Sequence, residues 1–261
     1  MAAIRVSGLF SDARFFPGDD GLEVVESHYQ DALWSILGFR TNDGGPRMTS
    51  SPGTGGNFDR DSWDRRWSQA LREGAQTVAQ RPPNTHLLAE VADLRPGRAL
   101  DAGAGHGAET LWLAARGWRV TAVDFSTTAL DHARSRAEGH GANVAARIEW
   151  VVADLATWMP PPERYDLVAC LYVHVAGSAP AMVRRLAAGV ATGGTLLLVG
   201  HQPVDPATGA PTPAAGQVQV SVDIAVAALE PDRWEILVAE DRSREVAGSG
   251  VDAVVYARRL A

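Results

Sequence analysis

The 261-residue sequence has no lysine: all 24 of its basic residues are arginine. Without an ε-amine to condense with a carbonyl, Schiff-base chemistry is closed to it. A Walker A phosphate loop and a protein-kinase fold are excluded as well, since each needs its lysine. Cysteine is nearly absent too. Cys170 stands alone, which excludes an internal disulfide and any cysteine-cluster metal site. Positive charge is in short supply, with 24 basic against 31 acidic residues and a net charge of -7. That balance argues against a nucleic-acid partner, because such binding rests on neutralising phosphates. Long apolar runs are missing: the longest are strand-length, far short of the roughly 20 residues that span a bilayer. No apolar run follows a basic start, so no signal peptide is expected. The expectation is a soluble cytoplasmic protein, monomeric or homodimeric, without a membrane partner.

What is present supports a proper core, since 46% of the residues are hydrophobic. Residues 1–40 read as an N-terminal extension. Leu22, Val25, Tyr29, Leu33 and Ile36 recur at helical spacing, which predicts a helix over about 22–37. Residues 41–57 are rich in Gly, Pro, Ser and Thr and read as a flexible linker. Met48 lies inside it. The extension is therefore either a helical cap or dimerisation arm, or a segment upstream of a natural start at Met48. The principal domain is expected over 58–261.

From Asp61 the pattern becomes regular. A helix is expected to about Glu73, with Trp63 and Trp67 on one face. Asn84 caps a second helix, ended by Arg95-Pro96-Gly97. Strands over 98–101, 118–123, 147–152, 165–173 and 194–199 then alternate with helices over 107–116, 126–138 and 179–188. This alternation predicts an α/β, doubly wound, mostly parallel sheet. The run Leu167-Val168-Ala169-Cys170-Leu171 suits a strand buried on both faces. The ending differs. Residues 234–240 and 251–258 read as strands joined by a polar loop, a C-terminal antiparallel hairpin that brings the sheet to seven strands.

The chemistry starts at Leu100-Asp101-Ala102-Gly103-Ala104-Gly105-His106-Gly107, where the first strand turns into the next helix. The glycines allow a tight turn and close approach of a ligand, and the helix start behind them favours an anionic group. Asp124 ends the next strand, placed to accept hydrogen bonds from ribose hydroxyls. Gly103, Gly105 and Ala108 also satisfy a loose dinucleotide fingerprint, so an NAD(P)-dependent oxidoreductase is the first alternative. Asp101 tells against it, since a carboxylate there repels a pyrophosphate and welcomes an ammonium such as that of S-adenosylmethionine. Asp154 follows the third strand, where it can accept from an adenine amino group or cap the turn after it.

Taken together, LDAGAGHG, VTAVDFS, VVADL, YDLVACLYVH and GGTLLLVGH resemble the class I S-adenosylmethionine-dependent methyltransferases over about 61–261. Within that class the chain looks most like the branch of thiopurine and tellurite-resistance enzymes, where a tryptophan-bearing helix precedes the first strand. Here SWDRRW supplies Trp63 and Trp67. The resemblance implies S-adenosylmethionine as cofactor and methyl transfer to S, N or O of a small molecule. It implies that Asp101, Gly103 and Gly105 line the methionine end and that Asp124 holds the ribose. By the same likeness Phe125 packs on adenine, Asp154 and Leu155 bracket its edge, Leu171 lies beneath the cofactor and Trp67 closes over it. A non-catalytic cofactor-binding protein on the same fold is the second alternative.

Methyl transfer mainly needs alignment, and a base only where the nucleophile is protonated and weak. His174 and His201 are the candidates, each just past a strand end, the edge where open α/β sheets bind ligands. His28, His86, His106, His132 and His140 read as solvated or structural, and no metal is expected. Cys170 reads as a buried small hydrophobe. Arg184-Arg185 reads as a solvated pair, and the uncharged loop over 202–217 as part of a substrate lid.

Overall fold

The structure is a computed structural model that describes residues 60–174, 177–204, 209–211, 219–243 and 250–261. The expected helix over 22–37, the linker with Met48 and most of the lid loop lie outside the described residues.

Helix α1 (Arg60–Ala79) runs past the expected end at Glu73, with a non-helical residue at Gly74. Helix α2 (Thr85–Val91) starts where the Asn84 side chain accepts from the backbone N–H groups of His86 and Leu87. The alternating core follows: β1 (Arg98–Ala102), α3 (Ala108–Ala115), β2 (Arg119–Asp124), α4 (Thr127–Gly139), α5 (Ala142–Ala145), β3 (Ile148–Val152), β4 (Tyr165–Leu171), α6 (Ala179–Ala188) and β5 (Val190–His201). Then come α7 (Val222–Ala228), β6 (Trp234–Ser243) and β7 (Val251–Arg259). Ser126, Ser178 and Ser221 each accept the backbone N–H three residues on, starting α4, α6 and α7.

The seven strands are ordered β3-β2-β1-β4-β5-β7-β6. The first five are parallel, and β7 is antiparallel to both β5 and β6. The expected terminal hairpin is therefore there, with its second strand inserted between β5 and the edge strand β6. Two short helices, α5 and α7, escape the sequence pattern, being too short to show a period. Strand β5 starts earlier than expected. Pairing already begins with Tyr165 opposite Val190, and the register then shifts so that Leu167 faces Thr195, the extra residues lying on β5.

Both faces of the sheet are covered. Leu100, Val168, Cys170, Leu196 and Leu198 face α6 and α7, while Ala99, Leu167, Ala169, Leu197 and Val199 face α2 and α3 with Trp118. Successive residues point to opposite faces, and here each face meets a helix layer, so the inner strands carry long apolar runs, interrupted at a few positions such as Asp101 and Asp252. The edge strand β6 is mostly exposed and carries Glu235, Glu240, Asp241 and Arg242, charges that discourage pairing with another edge.

Candidate cofactor and acceptor site

The turn after β1 has its geometry set by sterics. Gly103 sits at φ 90, and a Cβ there would meet Val173 Cγ2 at 2.2 Å. Its N–H and that of Ala104 donate to the Val123 carbonyl, at 2.8 and 3.0 Å. Gly105 donates to Asp124 Oδ2 at 2.9 Å, and Ser126 N–H to Asp124 Oδ1 at 2.8 Å. Asp124 thus ties the glycine turn to the start of α4. The indole of Trp67 lies against Gly105, 3.0 Å from the place a Cβ would take. Trp67 is also packed on Ala70, Val78 and Ala129.

Two carboxylates are buried at this turn, Asp101 and Asp124. Neither forms an ion pair among the described residues. Asp101 accepts the Thr110 hydroxyl. Burial, then the neighbouring Glu109 carboxylate, pushes Asp101 up to about 7. Burial pushes Asp124 up to about 6, against the pull of its backbone donors. Such a pair favours a cationic ligand, since a nearby positive charge is what stabilises the ionised forms. The residues therefore fit a cofactor that brings an ammonium and ribose hydroxyls. Glu109 accepts the Asn84 backbone N–H at 2.9 Å, bringing a third acid beside Asp101.

The remaining expected cofactor residues spread along the same strand edge. Leu155 is buried, its Cδ1 at 4.0 Å from the position of a Gly103 Cβ. Leu171 ends β4 and packs on the α2/α3 face of the core. Phe125 is half-buried, its carbonyl accepting from Arg60 Nε at 2.9 Å. Asp154 is exposed and caps its turn, Oδ1 accepting Ala156 N–H at 2.8 Å.

A second polar cluster is built from the ends of β4 and β5 and the start of β7. His174 and His201 come together there. Gln219 bridges them: its Oε1 accepts the His201 backbone N–H at 2.7 Å, and its Nε2 lies 3.4 Å from His174 Nε2. Trp63 packs its ring 5.6 Å from that of His174. Burial, then His201, then Arg66, lowers His174 to about 3. His201 Nδ1 lies 2.9 Å from Asp252 Oδ1. Cys170 is buried and pushed up to about 12, far from a thiolate.

Of the histidines read as solvated or structural, three take structural places, and the reading of the arginine pair is corrected. His86 Nε2 lies 3.2 Å from Asp252 Oδ2, because α2 lies against the β7 side of the sheet. His106 and His132 each bury a ring nitrogen, and His106 is driven well below the usual imidazole range by burial, then by Arg81 and Arg136. Of the arginine pair, Arg184 is exposed, but Arg185 reaches inward and donates to the Leu155 carbonyl at 3.0 Å. Sequence reasoning missed Asn84 beyond its capping role, along with Glu109, Tyr172, Gln219 and Asp252. Only Asp252 carried a signal, a charge inside the apolar strand Val251-Asp252-Ala253-Val254-Val255.

Comparison with known proteins agrees with this geometry. Residues 99–194 match a family model described as a methyltransferase domain. A curated relative, trans-aconitate 2-methyltransferase of Paracidovorax citrulli, is 35% identical over 136 residues, which is 51% of this chain and 49% of that protein. The chain thus spans about half the length of the curated relative it matches. Among solved structures, the N-methyltransferase NodS of Bradyrhizobium japonicum, in complex with S-adenosyl-L-homocysteine, is 16% identical with a TM-score of 0.56. The likeness covers 74% of this chain and 97% of that one. TehB of Haemophilus influenzae is 17% identical with a TM-score of 0.56, over 76% of this chain and 66% of that one. The fold is that of the class I, Rossmann-like methyltransferases. Among the described residues no helix is long and apolar enough to cross a membrane.

Proposed function

We propose that this chain transfers a methyl group from S-adenosylmethionine to a heteroatom, S, N or O, of a small-molecule acceptor. The observation that carries the reading is the pair of buried carboxylates around the glycine turn, Asp101 and Asp124, with no ion-pair partner among the described residues. A dinucleotide pyrophosphate would be repelled there, whereas the ammonium of S-adenosylmethionine meets Asp101. When bound, S-adenosylmethionine supplies a methyl carbon already activated by positively charged sulfur. In this reading Gly103 and Gly105 admit the methionine end and Asp124 holds the ribose hydroxyls. Phe125, Asp154 and Leu155 contact the adenine, Leu171 supports the cofactor and Trp67 closes the turn. His174, kept neutral by burial, orients the acceptor, and His201 beside it holds or takes a proton. The name of the curated relative, which denotes a small organic acid as acceptor, supports a small molecule here.

Calorimetry with S-adenosylhomocysteine and, separately, NADH tests the cofactor. Binding of the first and not the second is expected; the reverse overturns the reading. Transfer of labelled methyl from S-adenosylmethionine to a panel of thiols, amines and hydroxyl compounds then tests catalysis. Tight cofactor binding with no transfer to any of them would favour a non-catalytic cofactor-binding protein.

A further inference from the structure

Asp252 is the least expected residue of the molecule. It is the second residue of a central strand, is 1% exposed, and faces His201 across the antiparallel β5–β7 pair. Three side chains from three parts of the chain converge on it. His201 Nδ1 lies 2.9 Å from Oδ1, the Tyr172 hydroxyl donates to Oδ2 at 2.8 Å, and His86 Nε2 lies 3.2 Å from Oδ2. Tyr172 is held in the left-handed region, φ 55, which costs a non-glycine residue about 1–3 kcal/mol. In that conformation its ring stacks on His201, with centroids 4.0 Å apart and planes 16° apart. The Asn84 amide donates to the same hydroxyl at 3.0 Å, while the Asn84 backbone N–H binds Glu109 beside Asp101. The acceptor side is thereby joined to the cofactor turn by a chain of buried polar contacts.

A strained tyrosine and a buried carboxylate are expensive ways to finish a strand that an aliphatic residue would complete. Their common product is one imidazole fixed in place. With Asp252 Oδ1 as the acceptor at Nδ1, a neutral ring carries its proton on Nδ1 and keeps its lone pair on Nε2. Among the described residues, the groups facing His201 include Asp252 on β7, Tyr172 and His174 after β4, and Gln219, with Arg66 of α1 beyond His174.

We propose that Asp252 is a positioning residue that holds His201 as the general base for an acceptor hydroxyl. The proposal rests on the methyltransferase reading and deepens it by naming the acceptor class. In the step, the hydroxyl proton passes to His201 Nε2 and the O–H electron pair stays on oxygen. That oxygen forms its bond to the methyl carbon as the carbon–sulfur bond breaks, with the pair left on the now neutral sulfur. The imidazolium that results is stabilised by Asp252 and returns its proton to water. Thiols ionise readily and amines carry a free pair, so neither needs this apparatus as an alcohol or phenol does.

Isotope-labelled histidine NMR of the full chain reads the tautomer without any acceptor, with the His201 signal assigned by its loss in His201→Gln. Wild-type His201 is expected in the Nδ1–H form, and Asp252→Asn is expected to mix the two tautomers. An unchanged tautomer in Asp252→Asn overturns the proposal. With a hydroxyl acceptor, turnover of Asp252→Asn is expected to fall about 100- to 10,000-fold while S-adenosylhomocysteine binding is retained. Should Asp252→Asn fail to fold, His201→Gln takes its place: transfer to hydroxyls is lost and transfer to thiols persists. An equal loss on both acceptor classes overturns the proposal in favour of a structural role. Failure of the wild type to bind S-adenosylhomocysteine would instead sink the methyltransferase reading, and the tautomer measurement would still stand by itself.

Discussion

The two ends of the strand edge are built on opposite principles. At the β1–β2 end, Asp101 and Asp124 are buried carboxylates without an ion-pair partner among the described residues. At the β5–β7 end, the buried Asp252 is surrounded by His201, His86 and Tyr172. The first end lacks a countercharge among the described residues and, in the proposed reading, is completed by the cofactor. The second is complete within the protein and presents an oriented side chain. The ends also differ in chain distance. The cofactor turn draws on two short segments, Asp101–Thr110 and Asp124–Ser126, whereas the acceptor network joins residues as far apart as His86 and Asp252.

If the first end is unfinished until a cofactor binds, substitutions there should separate binding from stability. The largest effect is expected from Gly103→Ala. The methyl meets Val173 and the left-handed backbone disfavours alanine, so cofactor affinity should fall about 100-fold or more and the fold should weaken by about 2 kcal/mol. Calorimetry and thermal unfolding together check it, and unchanged affinity would mean that no ligand approaches the turn. Next comes Asp124→Ala, expected to weaken S-adenosylhomocysteine by about 1–3 kcal/mol, the scale of hydrogen bonds to a charged group.

Asp101→Asn sharpens the comparison through pH. Asp101 in the folded protein sits near 7, above its ordinary 3.8. A raised carboxyl contributes stability when protonated, fully so below about 4, and that stability is lost as pH rises through 7. The cofactor-free Asp101→Asn protein should therefore melt higher than wild type at pH 8 while binding the cofactor less well. Wild-type affinity should rise about tenfold between pH 6 and pH 8, as the carboxylate that meets the ammonium ionises. The Asn variant should lose that dependence; a retained slope would move the effect to another group. Smallest is Asp154→Ala. Its Oδ1 caps a turn at an exposed position, so affinity should change less than about threefold if capping is its whole role. A tenfold loss in titration calorimetry would place the carboxylate on the adenine.

The inner parallel strands were legible because burial on both faces writes itself into contiguous apolar runs, as in Leu167–Leu171. The caps at Asn84 and Ser126 were legible because capping is local. Strand β5 was read short because glycines that usually turn a chain here lie within a register irregularity. His86 was left as solvated or structural because nothing in Thr85–Val91 tells which element its outer face meets.

The sequence by itself determined the strand–helix alternation, the glycine turn and the acids at two strand ends. Each depends on neighbours within a few residues, where periodicity, capping and backbone freedom act. Tertiary structure alone decided that Asp252 stands opposite His201 and that Tyr172 and His86 share its second oxygen. Those contacts follow from β7 entering the sheet between β5 and β6, a choice of pairing that no local pattern records.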